Sequence, residues 1–218
     1  MTNPARLRLG GISGTASTSM HLRAPAILVS ARPHGETAVV ARLLTAEYGL
    51  VAAYVAGGRG RNLRPVLIPG NVVDVQVSAR SDSQLPFAKV ELVTSRGPFL
   101  GEPLAAAAIC WVTALTATAL PERHAYPNLH AALGGLVDAV CLAPSARGWA
   151  GALVGYETLL LRELGYGGEG ARPLGDLAAV LAAMDGLTGP LQHYLLADRR
   201  ADVMAARDRL REMLGRME

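Results

Sequence analysis

Apolar positions along the first hundred residues recur with the period of two that marks a half-buried strand. Val73, Val75 and Val77 alternate with Asp74, Gln76 and Ser78, which places one buried and one wet face on the same segment. Upstream, β-branched-rich runs at Ile27–Val29, Ala38–Leu44 and Leu50–Val55 are punctuated by Pro33-His34-Gly35 and Tyr48-Gly49, residues that suit turns. The pattern predicts strands near 26–32, 37–44, 50–56, 71–79 and 87–94, five short strands that suggest a small barrel. Beyond Pro98–Pro103 the alternation gives way to Ala- and Leu-rich segments with helical spacing. Helices are predicted near 102–120, 127–143, 146–165, 174–185 and 198–217. The expected class is α+β, with a five-stranded barrel over 20–98 and an all-helical domain over 99–218. Residues 1–19, rich in Gly, Ser and Thr and lacking the continuous apolar core of a signal peptide, read as a disordered tail, with Met20 as an alternative start.

Two helices stand out by their polar exceptions. Leu153, Tyr156, Glu157, Leu160, Leu161 and Leu164 share one face by their three- and four-residue spacing, so Glu157 interrupts an apolar stripe. An Arg partner on a neighbouring helix is the expected explanation, because carboxylates are rarely buried unpaired; a catalytic acid is the alternative. The last helix sets Val203, Ala206, Leu210, Met213 and Met217 against six Arg and five acidic residues between Asp198 and Glu218, which reads as a solvated charged face. The uncharged run Leu104–Leu120 is short and rich in Ala and Thr, a buried helix rather than a membrane span.

Charge separates the two halves. Residues 1–100 hold 11 Lys and Arg against 5 Asp and Glu, and the remainder 10 against 13, so a basic barrel precedes an acidic helical domain. Lys89 is the only lysine. Within Gly57-Gly58-Arg59-Gly60-Arg61-Asn62-Leu63-Arg64 three guanidinium groups sit on a glycine-rich backbone able to approach a partner closely, and a polyanion is the natural partner.

No catalytic constellation emerges. The five His residues stand at 21, 34, 124, 130 and 193, with no His-Glu-x-x-His, no Gly-x-Ser-x-Gly and no phosphate-binding Gly-rich loop carrying Lys and Ser or Thr. Cys110 and Cys141 fall in apolar runs and read as buried reduced thiols. Together with His124 and His130 they form a zinc site only on paper, because none of the spacings matches a ligand knuckle; no metal and no cofactor are expected. Glu36, after Pro33-His34-Gly35, reads as a carboxylate that accepts backbone N–H groups and fixes the turn.

Ordered motifs over residues 24–166 carry a family resemblance. They are Ile27-Leu28-Val29, Arg32, Gly35-Glu36, Leu43-Leu44-Thr45, Gly49, Val55-Ala56-Gly57-Gly58-Arg59-Gly60-Arg61 and Leu67-Ile68-Pro69-Gly70, then Tyr156-Glu157, Leu160-Leu161 and Glu163-Leu164-Gly165-Tyr166. The chain resembles the bacterial DNA repair protein RecO family. That resemblance implies an N-terminal OB-fold and a helical C-terminal domain. It also implies a cytoplasmic, nucleoid-associated recombination mediator rather than an enzyme, with no membrane partner. Its implied partners are single- and double-stranded DNA, RecR, the acidic C-terminal tail of single-stranded DNA-binding protein, and RecA indirectly, and its implied activity includes strand annealing. Many members carry a Cys-x-x-Cys zinc module after Leu-Gly-Tyr; here Gly167-Gly168-Glu169-Gly170 follows, and zinc is not carried over. Phosphate-dominated, sequence-tolerant DNA binding is expected through Arg32, Arg42, Arg59, Arg61, Arg64, Arg80 and Lys89. Tyr48, Tyr54 and Phe87 are the barrel's only aromatic residues of the Phe, Tyr and Trp kind, and Tyr48 and Tyr54 are expected to pack rather than stack bases. Arg123, His124 and Arg147 are the expected contacts for an acidic tail peptide. The rival readings are an OB-fold adaptor that binds only protein, and a small hydrolase.

Overall fold

The computed structural model describes residues 20–79, 81, 84–167, 176–197 and 202–217; the tail over 1–19 and the candidate DNA contact Arg80 lie outside them. Five strands, β1 (Met20–His34), β2 (Ala38–Thr45), β3 (Gly49–Val55), β4 (Val72–Ala79) and β5 (Phe87–Thr94), close into a barrel in the order β1-β2-β3-β5-β4. Every pairing is antiparallel except the closing one, a single parallel bridge between Tyr54 and Phe87. This is the OB-fold. β1 begins six residues earlier than its apolar run, because its first half pairs with β4 (Met20↔Ala79 to Ile27↔Val72) while its second half pairs with β2. A register shift between Leu28 and Ser30 lets one strand serve both neighbours.

A 3-10 turn at Gly97–Gly101 leads to the helices α1 (Pro103–Ala119), α2 (Pro127–Leu142), α3 (Ala150–Glu163), α4 (Leu177–Pro190) and α5 (Asp202–Gly215). The chain is therefore α+β. Two differences from the sequence pattern concern helix ends. Residues 146–148 form a separate 3-10 turn before α3, and α4 runs past Gly186 and Gly189 into a π-helical turn at Leu191–Leu195. Buried Leu191, Leu195 and Leu196 supply the packing that outweighs the poor helix propensity of the glycines. No helix among the described residues is long and apolar enough to cross a membrane.

Two cores hold the molecule. Leu28, Ala41, Leu43, Val51, Ala53, Val55, Val73, Val75 and Val77 fill the barrel. Ile27, Val29, Leu44 and Leu50 point the other way and join the helical core around Trp111, Leu115, Leu133 and Leu153. Burial on both faces explains why Ile27-Leu28-Val29 and Leu43-Leu44 read as continuous apolar runs. Two arginines brace the junction: Arg42 on β2 donates to the Ala117 carbonyl and pairs with Glu122 at 3.1 Å, and Arg96 pairs with Asp138 on α2.

Glu157 has the expected Arg partner. Arg207 of α5 donates Nε to Oε1 and Nη2 to Oε2, both at 2.8 Å, and Trp111 Nε1 of α1 donates to Oε1 at 2.7 Å. The remaining guanidinium donors reach Thr188 Oγ1 (2.9 Å) and the Met184 carbonyl (2.7 Å) on α4. Four helices thus meet on one ion pair, whose members are 0 % and 2 % exposed. The reading of α5 as uniformly solvated on its charged side fails at Arg207. Cys110 also departs from expectation: it is exposed on α1, while Cys141 is half-buried, and both are free thiols. Glu36 is exposed, and among the described residues its carboxylate accepts none of the turn's N–H groups.

Candidate nucleic-acid interface

The connection from β3 to β4, residues 56–71, lies across one end of the barrel. Leu63, Val66 and Leu67 pack on the barrel core. The buried Asn71 side chain holds the return: its Nδ2 donates to the carbonyls of Pro65 (3.0 Å) and Val66 (2.9 Å), and its Oδ1 accepts the Arg96 N–H at 2.7 Å. Sequence reading passed over Asn71, because an Asn after Pro-Gly looks like an ordinary turn residue. At the other end of the connection the Arg59 backbone N–H donates to Thr37 O (2.9 Å), and its Nη1 donates to Gly35 O at 3.1 Å. The basic segment is therefore pinned to the β1–β2 turn.

This frame leaves Arg59, Arg61 and Arg64 exposed. Among the described residues the guanidinium groups of Arg61 and Arg64 have no protein partner, so their donors face solvent, as phosphate ligands must. The glycines play different parts. Gly57 adopts φ +66°, which favours glycine. Gly58 is buried, and a Cβ there would press on Val39 and Leu67. Its role is to let the loop lie on the barrel, not to bring backbone to a ligand.

The other expected contacts divide. Arg32 on β1 and Lys89 on β5 are exposed. Arg42 is withdrawn from the set, since its guanidinium is engaged with Ala117 and Glu122 at the domain junction. The expected tail-binding residues do not form one cluster: Arg123 and His124 precede α2, while Arg147 follows it. The 16 residues of α2 separate them by about 24 Å. Arg123 holds φ +59° and donates its N–H to Leu50 O at 2.9 Å, and His124 rests against Tyr126 with ring centroids 4.8 Å apart.

Among the described residues no group of three or more His, Cys, Asp and Glu is placed to hold a metal. Burial pushes the His130 imidazole down and the Cys141 thiol up from their ordinary values.

Aromatic side chains add to the exposed face. Tyr54, expected to pack, is half-buried on the outer surface and meets Phe87 edge-on at 5.2 Å and His34 at 5.9 Å. Phe87 is 61 % exposed. Residues 20–96, the barrel with its basic connection, match the family described as Recombination protein O N terminal. The N-terminal domain belongs to the RecO family. Similarity to RecO continues beyond it: the chain is 44 % identical over 144 residues to the DNA repair protein RecO of Rhodospirillum centenum, covering 65 % of this chain and 56 % of that protein. The RecO proteins of Caulobacter vibrioides (39 % over 156 residues, 71 % and 61 % covered) and Phenylobacterium zucineum (38 % over 150 residues, 68 % and 60 %) are also similar. The chain spans less than two thirds of the length of these relatives.

Proposed function

We propose that the chain is a DNA-binding recombination mediator in DNA repair. Its barrel end, with Arg59, Arg61 and Arg64 fixed on a braced connection and Arg32 and Lys89 beyond it, tracks the phosphates of single- or double-stranded DNA. The observation that carries this reading is the exposure of Arg61 and Arg64, without partners among the described residues, on a loop whose backbone is tied down at both ends. Pre-ordered cations lose little entropy on binding, and contacts to phosphate carry no sequence information. Its action is binding and alignment of strands rather than catalysis: annealing complementary strands and, with RecR, helping to load RecA onto single strands coated with single-stranded DNA-binding protein. The acidic tail of that protein is a further partner in this reading. With Arg123 and His124 at one end of α2 and Arg147 at the other, the two ends are separate contacts for the tail, and only an extended peptide of about eight residues would span both. The cell compartment proposed is the cytoplasm, on the nucleoid.

Fluorescence anisotropy of labelled single strands and duplexes over a salt series tests the DNA reading. Log affinity is expected to fall linearly with log salt, and equally for unrelated sequences. Absent or salt-insensitive binding would instead favour an adaptor that binds only protein.

A further inference from the structure

Cross-strand register lines up one row of outward-facing residues around the barrel. His21 faces Ser78, Ser78 faces Phe87, Phe87 bridges to Tyr54, Tyr54 faces Val40 and Val40 faces Arg32. Over the first half of this row the sheet surface forms a groove of about 750 Å³, lined by His21, Arg23, Gln76, Ser78, Phe87 and Lys89. Ala56, the first residue of the basic connection, also lines it. Arg23 is held by Asp74 at 2.7 Å; Lys89, exposed and opposite Gln76, keeps its ammonium available.

Phe87 is the unusual member. A phenyl ring 61 % exposed on a strand forgoes most of the burial that stabilises such side chains. Its ring is nonetheless fixed, since Tyr54 packs against it at an interplanar angle of 69° and His34 packs against Tyr54 at 87°. These edge contacts order the rings without stacking them on one another. A planar apolar surface thus stands in solvent, flanked by Gln76, Ser78 and Lys89 and leading to three arginines. An unpaired nucleobase on a phosphate backbone has the matching chemistry: a flat face to stack, polar edges to hydrogen-bond, and a charge each side. Duplex bases are already stacked on their neighbours and present no such face.

We propose that this groove takes unpaired bases of a single strand, with Phe87, backed by Tyr54, as the stacking surface and Lys89 as the adjoining phosphate contact. The inference rests on the DNA-binding reading and adds strand selectivity to it: the arginine connection serves any phosphate backbone, while the groove distinguishes a single strand from a duplex.

Two variants test it. Phe87→Ala is expected to lower single-strand affinity about 5- to 150-fold, the range for loss of one base–aromatic stack, with duplex affinity and the salt slope unchanged. Phe87→Trp should retain affinity and supply a reporter, because Trp111 and Trp149 are 0 % and 3 % exposed and the new indole would be the only one in solvent. Oligothymidylate should quench its emission and a duplex should not. If the wild-type protein binds single strands with a salt slope, while Phe87→Ala keeps that affinity and the Phe87→Trp emission ignores oligothymidylate, the groove is not a base site and the DNA-binding reading stands alone. Quenching by duplex equal to that by single strand would also overturn the proposal. Failure of the wild-type protein to bind single strands would overturn both readings.

Discussion

Arg207→Ala is expected to lower the midpoint of thermal unfolding by roughly 6–20 °C. The substitution leaves the Glu157 carboxylate, 0 % exposed, with Trp111 Nε1 as its remaining donor among the described residues, and removes the donors that serve Thr188 and Met184 on α4. Breaking one side of a buried pair costs about 3–5 kcal/mol, and about 2–4 °C accompanies each kcal/mol in a protein of this size. One turn along α5, Arg211 pairs with Asp185 in the same two-pronged geometry, both bonds at 2.7 Å, but in solvent. Arg211→Ala should therefore shift the midpoint by a few degrees at most, since exposed pairs contribute about 1 kcal/mol or less. Replacing both partners of the buried pair, as Glu157→Leu with Arg207→Met, should recover part of the loss. Circular dichroism melts of the four proteins make the comparison. Equal shifts for Arg207→Ala and Arg211→Ala would mean that the four-helix junction does not depend on this pair.

Gly49→Ala is expected to be the most damaging single-methyl change in the barrel, at about 3–5 kcal/mol. Gly49 sits at φ +68°, and a Cβ there would collide with the backbone of His124, which cannot rotate away. That contact is where the β2–β3 hairpin docks on the helical half: Arg123 N–H donates to Leu50 O, and Leu50 forms an isolated parallel bridge with Glu122. Thr45 fixes the hairpin from inside, its Oγ1 donating to Gly49 O and accepting the Tyr48 N–H. Gly35 provides the control, with φ +60° but nothing within 4 Å of its would-be Cβ. Gly35→Ala should cost only the left-handed strain, about 1–2 kcal/mol. Urea unfolding of both variants separates strain from collision, and equal midpoints would contradict close docking at Gly49.

The barrel was legible because burial on a strand imposes a period of two, and Val73, Val75 and Val77 carry it openly. The first half of β1 was not, although His21-Leu22-Arg23-Ala24 alternates, because Pro25 interrupts the run and its place in the sheet is set by pairing with β4, fifty residues away. Glu157 announced itself as a carboxylate in an apolar stripe. Arg207 did not, since it stands among as many exposed charges as any residue of α5 and only the approach of α1, α3 and α4 singles it out. The same limit applied to the basic residues. Arg32 and Arg42 are both cations on barrel strands, and which of them faces solvent depends on where α1 docks. The Tyr54–Phe87 contact arises from the one parallel bridge that closes the barrel, and local pattern carries no information about a pairing across that distance.

The central claim is that the arginines of the β3–β4 connection bind phosphate. The direct measurement is the salt dependence of single-strand affinity for the wild-type protein and for the variant carrying Arg59→Ala, Arg61→Ala and Arg64→Ala. Each phosphate contact contributes about 0.7 to the slope of log affinity against log salt, so the triple variant should bind more weakly on every sequence, with a slope flatter by up to roughly 2. A triple variant that melts like the wild type and keeps its affinity and slope would contradict the account, and would move the DNA contact away from this loop.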